Sequence, residues 1–270
     1  MTDPQVILIT GASSGIGETT ARYFAKRGFK VAMAARRIER LEEIAKEIQA
    51  GGGEAIAVQA DVSDNEVIQG MVRQTLERFG KIDVLFNNAG FGKFNWLENL
   101  DPVKDIEGQM QVNALGTILT SRAVLPHMIE RRSGHIINMC SMAGMVATPT
   151  YTIYAASKFA VRGFSQALRR EVSVWGIHVS VILPGGASTE FGEKAGATKR
   201  KTGVTTPKFL KLTTEQIAAK VYQVVQRPQR MVVFPGLWRV SIWLDTLFQG
   251  FADKVIEKRF VIPERGLDGK

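Results

Sequence analysis

Cysteine is almost missing from this chain of 270 residues: Cys140 stands alone. That excludes an intramolecular disulfide and a cysteine-based zinc site. Histidine is nearly as scarce, and His127, His135 and His178 lack metal-ligand spacing, so no metal is expected. No run of about 18 uncharged apolar residues exists, so no ordinary membrane span is expected. The polar opening, Met1 to Gln5, has no secretory character, and a cytoplasmic location is the expectation. Basic helices interleaved with aromatics are missing too, so nucleic acid is not an expected partner.

What is present is an ordinary globular balance, 45% hydrophobic and 23% charged. The net charge of +9 is unevenly placed. Residues 190–270 carry 15 Lys/Arg against 8 Asp/Glu, a net of +7, and the first 189 carry 20 against 18, a net of +2. A basic last third suits an anionic substrate, an acidic partner or anionic lipid, and an excess of solvated lysine gives the same count.

Apolar runs without polar alternation mark strands at 6–9, 29–35, 55–59, 82–86, 135–139, 178–183 and 231–234. Helical stretches separate them at 15–27, 40–50, from Ser63, 105–132, 151–175 and 213–225. Ser63 with Glu66, and Thr213 with Gln216, have the spacing of capping boxes. The alternation implies an α/β fold, doubly wound, with a mostly parallel seven-stranded sheet and helices on both faces. One domain is expected over 1–236, followed by a helical C-terminal extension over 237–270.

Thr10-Gly11-Ala12-Ser13-Ser14-Gly15-Ile16-Gly17 joins the first strand to the first helix. Glycines there permit a tight turn and let backbone N–H groups approach a pyrophosphate at the helix N-terminus. The spacing departs from G-x-G-x-x-G, and a purely structural turn remains an alternative. The second strand ends in Ala34-Ala35-Arg36-Arg37, with no carboxylate to take a ribose 2′-hydroxyl. Two guanidiniums suit a 2′-phosphate, which points to NADP(H); the alternative is the start of a solvated helix.

These residues resemble the short-chain dehydrogenase/reductase family over 5–190. The resemblance is carried by Thr10 to Gly17, Asp61-Val62, Asn87-Asn88-Ala89-Gly90, Asn113, Ser141, Tyr154-Ala155-Ala156-Ser157-Lys158 and Pro184-Gly185, in that order. It implies a Rossmann-like fold and hydride transfer between nicotinamide and a carbonyl or secondary alcohol. Tyr154 and Lys158 lie four apart on one helical face, and an ammonium there should lower the phenol pKa from about 10. Ser141 is suited to donating to the substrate oxygen. By resemblance, Lys158 also holds the nicotinamide ribose and Asn113 holds a water in a proton relay. Asp61 and Val62 are implied adenine contacts; Asn88, Ala89 and Gly90 line the ribose side. Pro184, Gly185 and Thr189 are implied to cradle the carboxamide, with Ser13, Ser14 and Ile16 in the phosphate loop. Asn87, Cys140, His135 and His178 read as structural.

Residues 186–212, with Lys194, Lys199, Arg200, Lys201, Lys208 and Lys211, read as a loop closing over substrate. Beyond Gly236, the residues Leu237, Val240, Leu244, Leu247, Phe248, Phe251 and Val255 form one apolar stripe of a helix, widened by Trp238, Ile242 and Trp243. That helix could wall a cleft for a bulky hydrophobic substrate such as a steroid, retinoid or long-chain lipid carbonyl, bury itself on a partner, or lie in a membrane interface. Other readings stand beside this one: a 3-oxoacyl thioester reductase, and a non-catalytic NADP-binding protein. The helices at 105–132 and 151–175 resemble those through which family members form dimers or tetramers.

Overall fold

A computed structural model describes residues 3–187, 191–192, 195–196 and 210–267. Seven strands form one sheet: β1 (Val6–Thr10), β2 (Lys30–Ala35), β3 (Glu54–Gln59), β4 (Val84–Asn87), β5 (Gly134–Met139), β6 (Ile177–Pro184) and β7 (Met231–Phe234). Every pairing is parallel, in the order β3-β2-β1-β4-β5-β6-β7. Parallel neighbours require crossovers, and the crossovers cover both faces, which is why β1 is buried at all five positions.

On one face lie α1 (Gly15–Ala25), α2 (Ile38–Ala50) and α6 (Thr214–Gln226), packed on Ile7, Ile9, Val31 and Met33. On the other lie α3 (Asn65–Phe79), α4 (Gly116–Arg131) and α5 (Thr152–Val172), packed on Leu8, Ala32, Leu85 and Ile136. The chain winds outward from β1 to β3 and then crosses back to β4. The carboxyl ends of β1 and β4 therefore flank a topological switch point, where open α/β sheets bind ligands.

The Thr213–Gln216 capping box is formed at the start of α6. The expected box at Ser63 is not. Asp64 caps α3 by accepting from the N–H groups of Glu66 and Val67, and Ser63 Oγ donates instead to Asp61. The helical region expected at 105–132 begins with two π-helical turns, Pro102–Glu107 and Met110–Leu115, before α4. His135 is buried, bonded to Ser180 Oγ, and kept neutral by burial with its pKa pushed down to about 3.

The C-terminal extension is not the single helix its periodicity suggested. Phe248 leaves helical geometry (φ −127°, ψ 42°) and divides α7 (Trp238–Leu247) from α8 (Gln249–Ile256). A π-helical turn, Glu257–Val261, and the short α9 (Ile262–Arg265) follow. Trp96 packs against Phe260 and under the Arg265 guanidinium, and Arg265 pairs with Glu98.

Candidate active site

The loop after β1 is built for close approach. Gly11 sits at φ +66°, and a Cβ there would lie 2.7 Å from Ala89 Cα. A Cβ on Gly17 would run into the Gly11 carbonyl oxygen and lie 2.9 Å from Ala12 Cα. Ser14 is the extended N-cap of α1 but makes no side-chain cap, so the first-turn N–H groups point into the loop without a side-chain partner. Asn88 clasps this loop to the end of β4: its Nδ2 donates to the carbonyls of Thr10 (3.1 Å) and Gly11 (3.2 Å). Thr10 Oγ1 accepts from the N–H groups of Asn88 and Ala89.

At the end of β2 the two arginines behave differently. Arg37 turns back onto the loop, its Nε on Ser13 Oγ (3.2 Å) and its terminal nitrogen on the Ser13 carbonyl (3.0 Å). Arg36 is 78% exposed and lies 3.8 Å from Asp61. Ser13, Arg36, Arg37 and Asp61 thus gather at one corner of the switch point. Val62 lies beyond it, its carbonyl against Gly116 at the entry to α4.

The second group assembles at the ends of β4 and β5 and on α5. Asn113 lies fully buried in the second π-helical turn, a geometry often met at functional sites. Its amide accepts from Phe91 N and donates to the Phe91 carbonyl (both 2.9 Å) and to Ser157 Oγ (3.1 Å). Lys158, also buried, donates to the Met139 carbonyl (3.1 Å). A Cβ on Gly90 would lie 2.9 Å from Asn113 Oδ1 and 3.6 Å from Lys158 Nζ, so Gly90 marks where the three meet. Ser141 begins a short turn, Met142–Gly144, that Arg162 of α5 holds through the Gly144 carbonyl (2.9 Å). Ser141 lies near enough to the Tyr154 phenol to draw its pKa down, and Lys158 Nζ lies 5.6 Å from the Tyr154 ring centroid. Asn87, read as structural, is buried and bonded to Ser121 and Asn138. Cys140 is buried with its thiol on the Lys158 carbonyl.

One expectation reverses in sign. The sequence placed Lys158 to lower the Tyr154 pKa. In the folded chain burial raises it above the usual phenol range; the Ser141 side chain pulls it down but does not compensate. The same burial lowers the Lys158 ammonium. Desolvation penalises phenolate and ammonium alike, so both groups are held toward their neutral forms.

The sequence reading also missed the aromatic surround of Tyr154. Phe94 stacks on Tyr151 (3.8 Å between centroids) and meets Tyr154 edge-on (5.4 Å), while Phe191 lies 5.6 Å from Tyr154. Phe94 and Phe191 come from separate segments of the chain, and only Tyr151 shares α5's local pattern. Trp238 of the extension reaches the end of β6: its indole nitrogen lies where a Cβ on Gly185 would stand, and it is buried without a hydrogen-bond partner among the described residues. Pro184 and Gly185 thus sit between β7 and the extension, Gly185 donating to the Phe234 carbonyl (2.8 Å). Thr189 and most of the 186–212 loop lie outside the described residues.

Comparison with known proteins places the same residues in a wider set. The family model described as short chain dehydrogenase matches residues 5–200. An uncharacterized oxidoreductase of Listeria innocua is 39% identical over 228 residues, 83% of this chain and 92% of that protein. A 3-oxoacyl-[acyl-carrier-protein] reductase of Synechocystis is 38% identical over 72% of this chain and 78% of its own. Among solved structures, an alcohol dehydrogenase of Thermococcus sibiricus complexed with 5-hydroxy-NADP superposes with a TM-score of 0.75 at 31% identity, covering 85% of this chain and 94% of that one. A short-chain dehydrogenase/reductase of Burkholderia phymatum in complex with NAD gives 0.81 at 26% identity, covering 92% and 95%.

Proposed function

The chain belongs to the short-chain dehydrogenase/reductase family of oxidoreductases, and from that premise we propose that it transfers hydride between NADP(H) and a hydrophobic ketone or secondary alcohol. The observation carrying this reading is the meeting of Ser141, Tyr154, Lys158 and Asn113 beside a glycine cradle whose far corner is cationic.

The residues fit a dinucleotide. Gly11 and Gly17 leave room that a Cβ would fill, and the first turn of α1 supplies unpaired N–H groups to a pyrophosphate. Ser13, Arg36 and Arg37 would hold a 2′-phosphate, Asp61 and Val62 the adenine, and Ala89, Gly90 and Lys158 the nicotinamide ribose. Pro184, Gly185 and Thr189 would face the carboxamide. Bound nicotinamide supplies or accepts the hydride. The protein's part is the proton. For reduction, Ser141 donates a hydrogen bond to the carbonyl oxygen, and Tyr154 Oη transfers its proton to that oxygen as negative charge develops there, giving the alcohol. Lys158 stabilises the resulting phenolate, and Asn113, bridging Phe91 and Ser157, fixes the backbone next to Gly90.

Phe94, Tyr151 and Phe191 around the Tyr154 ring favour an apolar substrate, with steroid, retinoid and long-chain carbonyls as the classes to test. Trp238 against Gly185 and Phe260 against Trp96 support a further apolar contribution from residues 237–270. The Synechocystis relative favours a second reading, a 3-oxoacyl thioester reductase. A substrate panel followed by NADPH absorbance separates them: the first reading expects bulky ketones to exceed oxoacyl thioesters in kcat/KM, and the reverse order selects the second. Absence of turnover across the panel with coenzyme bound would leave a binding protein instead.

Coenzyme choice is tested on the same assay. One charge-assisted contact contributes about 1.5–3 kcal/mol, or about ten- to a hundredfold in affinity. NADPH is therefore expected to exceed NADH by at least about tenfold in kcat/KM, and Arg37→Ala should remove most of that margin. Equal efficiency with both coenzymes in the unmodified protein would overturn the assignment; the NAD-bound Burkholderia relative makes this a real contest.

Assembly is expected to run through α4 and α5, where Leu115, just before α4, and Phe159 of α5 are exposed apolar residues. Light scattering at micromolar concentration should report at least a dimer, and a monomer would count against it.

A further inference from the structure

The extension faces the wrong way for a helix that merely completes a core. In α7 the residues Trp238, Ser241, Ile242 and Asp245 recur at i, i+3, i+4 and i+7, and these are the half-buried ones. A serine and an aspartate therefore point toward the body. Val240, Trp243, Leu244 and Leu247 occupy the opposite side and are exposed, Trp243 by 68%. The apolar surface continues past the break through Phe248, Phe251 (72% exposed) and Val255. So many large apolar residues exposed along one short segment need a cover.

We infer that this face docks on an anionic lipid bilayer. Charge distinguishes the occupant. Lys254 and Lys258 follow Phe251 by three and seven residues and are exposed, so cations border the apolar row itself; Arg239 lies one turn before Trp243. Asp245, the acid of α7, is half-buried, and the exposed acids that follow, Asp253 and Glu257, stand two and six residues from Phe251, on the other side of the helix. A row of large apolar residues bordered by lysine and arginine, with an exposed tryptophan, is the composition of a helix lying in a membrane interface. A second copy of this chain is a poorer cover. A two-fold contact presents the same patch from both sides, and would set this basic border against itself. Spanning is not the mode, since among the described residues no helix is long and apolar enough to cross a membrane. Trp238 touches Gly185, and Phe260 touches Trp96, so a docked extension would bring the cleft beside the bilayer. The docking rests on the exposed face alone and does not depend on the substrate proposed above.

The test is co-sedimentation of the full chain with vesicles of phosphatidylcholine, with and without phosphatidylglycerol, at low and high salt. The unmodified protein should pellet with the anionic vesicles at low salt and be released by salt. Leu244→Glu with Phe251→Glu should weaken binding at least about tenfold. Both positions are exposed, so the variant should keep its melting temperature and coenzyme affinity, which are measured alongside. Folded, unmodified protein that stays in the supernatant with anionic vesicles at low salt would overturn the inference. So would light scattering in which the double variant falls from dimer to monomer while the unmodified dimer ignores vesicles; the cover would then be a second copy.

Discussion

Tyr154→Phe is expected to lower turnover about 100- to 10,000-fold while coenzyme binding survives. The phenyl ring keeps the packing that Phe94, Tyr151 and Phe191 give the tyrosine, so only the transferable proton is removed. Ser141 remains as a hydrogen-bond donor to the carbonyl oxygen but has no positioned acid behind it to replace a transferred proton. Steady-state rates with a good substrate, beside a fluorescence titration with NADPH, separate the two effects. Near-normal turnover would mean that another group is the acid. The pH dependence sharpens the test. Burial raises the Tyr154 pKa, so the phenol stays protonated across neutral pH and beyond the ordinary tyrosine range. Carbonyl reduction, which needs the protonated phenol, should have no tyrosine limb near neutrality. Alcohol oxidation, which needs phenolate, should gain rate as pH rises. Tyr154→Phe should abolish that rise.

The contrast between what could and could not be read from the chain follows from the range of the forces. Tyr154 and Lys158 were legible because helical spacing alone puts them on one face, and Gly11 and Gly17 because a close turn tolerates no side chain. Seven apolar runs alternating with helical segments sufficed for the parallel sheet, since each strand must be covered on both sides. The sign of the Tyr154 shift was not legible. It depends on burial, and burial is supplied by Phe94 and Phe191, sixty and thirty-seven residues away in sequence. The apolar stripe of the extension was visible, but periodicity says only that a helix has two sides. It does not say which side meets the protein, and here the stripe faces outward. Phe248 interrupts a pattern that the residue types alone would continue.

Lys158→Met should separate activity from stability in opposite directions. Lys158 is buried with the Met139 carbonyl as its hydrogen-bond acceptor, and burial lowers its pKa. A lysine with a depressed folded pKa weakens the fold at pH values where it must stay charged. That cost shrinks as pH rises through the lowered folded pKa, because the folded state then releases its proton before the unfolded state does. Methionine has a similar volume and no charge. Replacing a buried ionic group by an apolar side chain of like size is often stabilising by about 1–4 kcal/mol. Some of that is lost because the Met139 carbonyl forfeits a donor. A net gain of about 1 kcal/mol would raise Tm by roughly 2–4 °C in a domain of this size. The advantage of the variant should be largest below the lowered folded pKa and narrow as pH rises toward the ordinary lysine value. Turnover should nevertheless fall by about 100-fold or more, since phenolate at Tyr154 loses its nearest cation. KM for NADPH should rise as well, because the same ammonium is proposed to hold the nicotinamide ribose. Calorimetry across pH, with coenzyme titration of the same samples, reads all three quantities. A variant that melts well below the parent at neutral pH would show that Lys158 stabilises the fold, and that its place between Met139 and Gly90 is structural first.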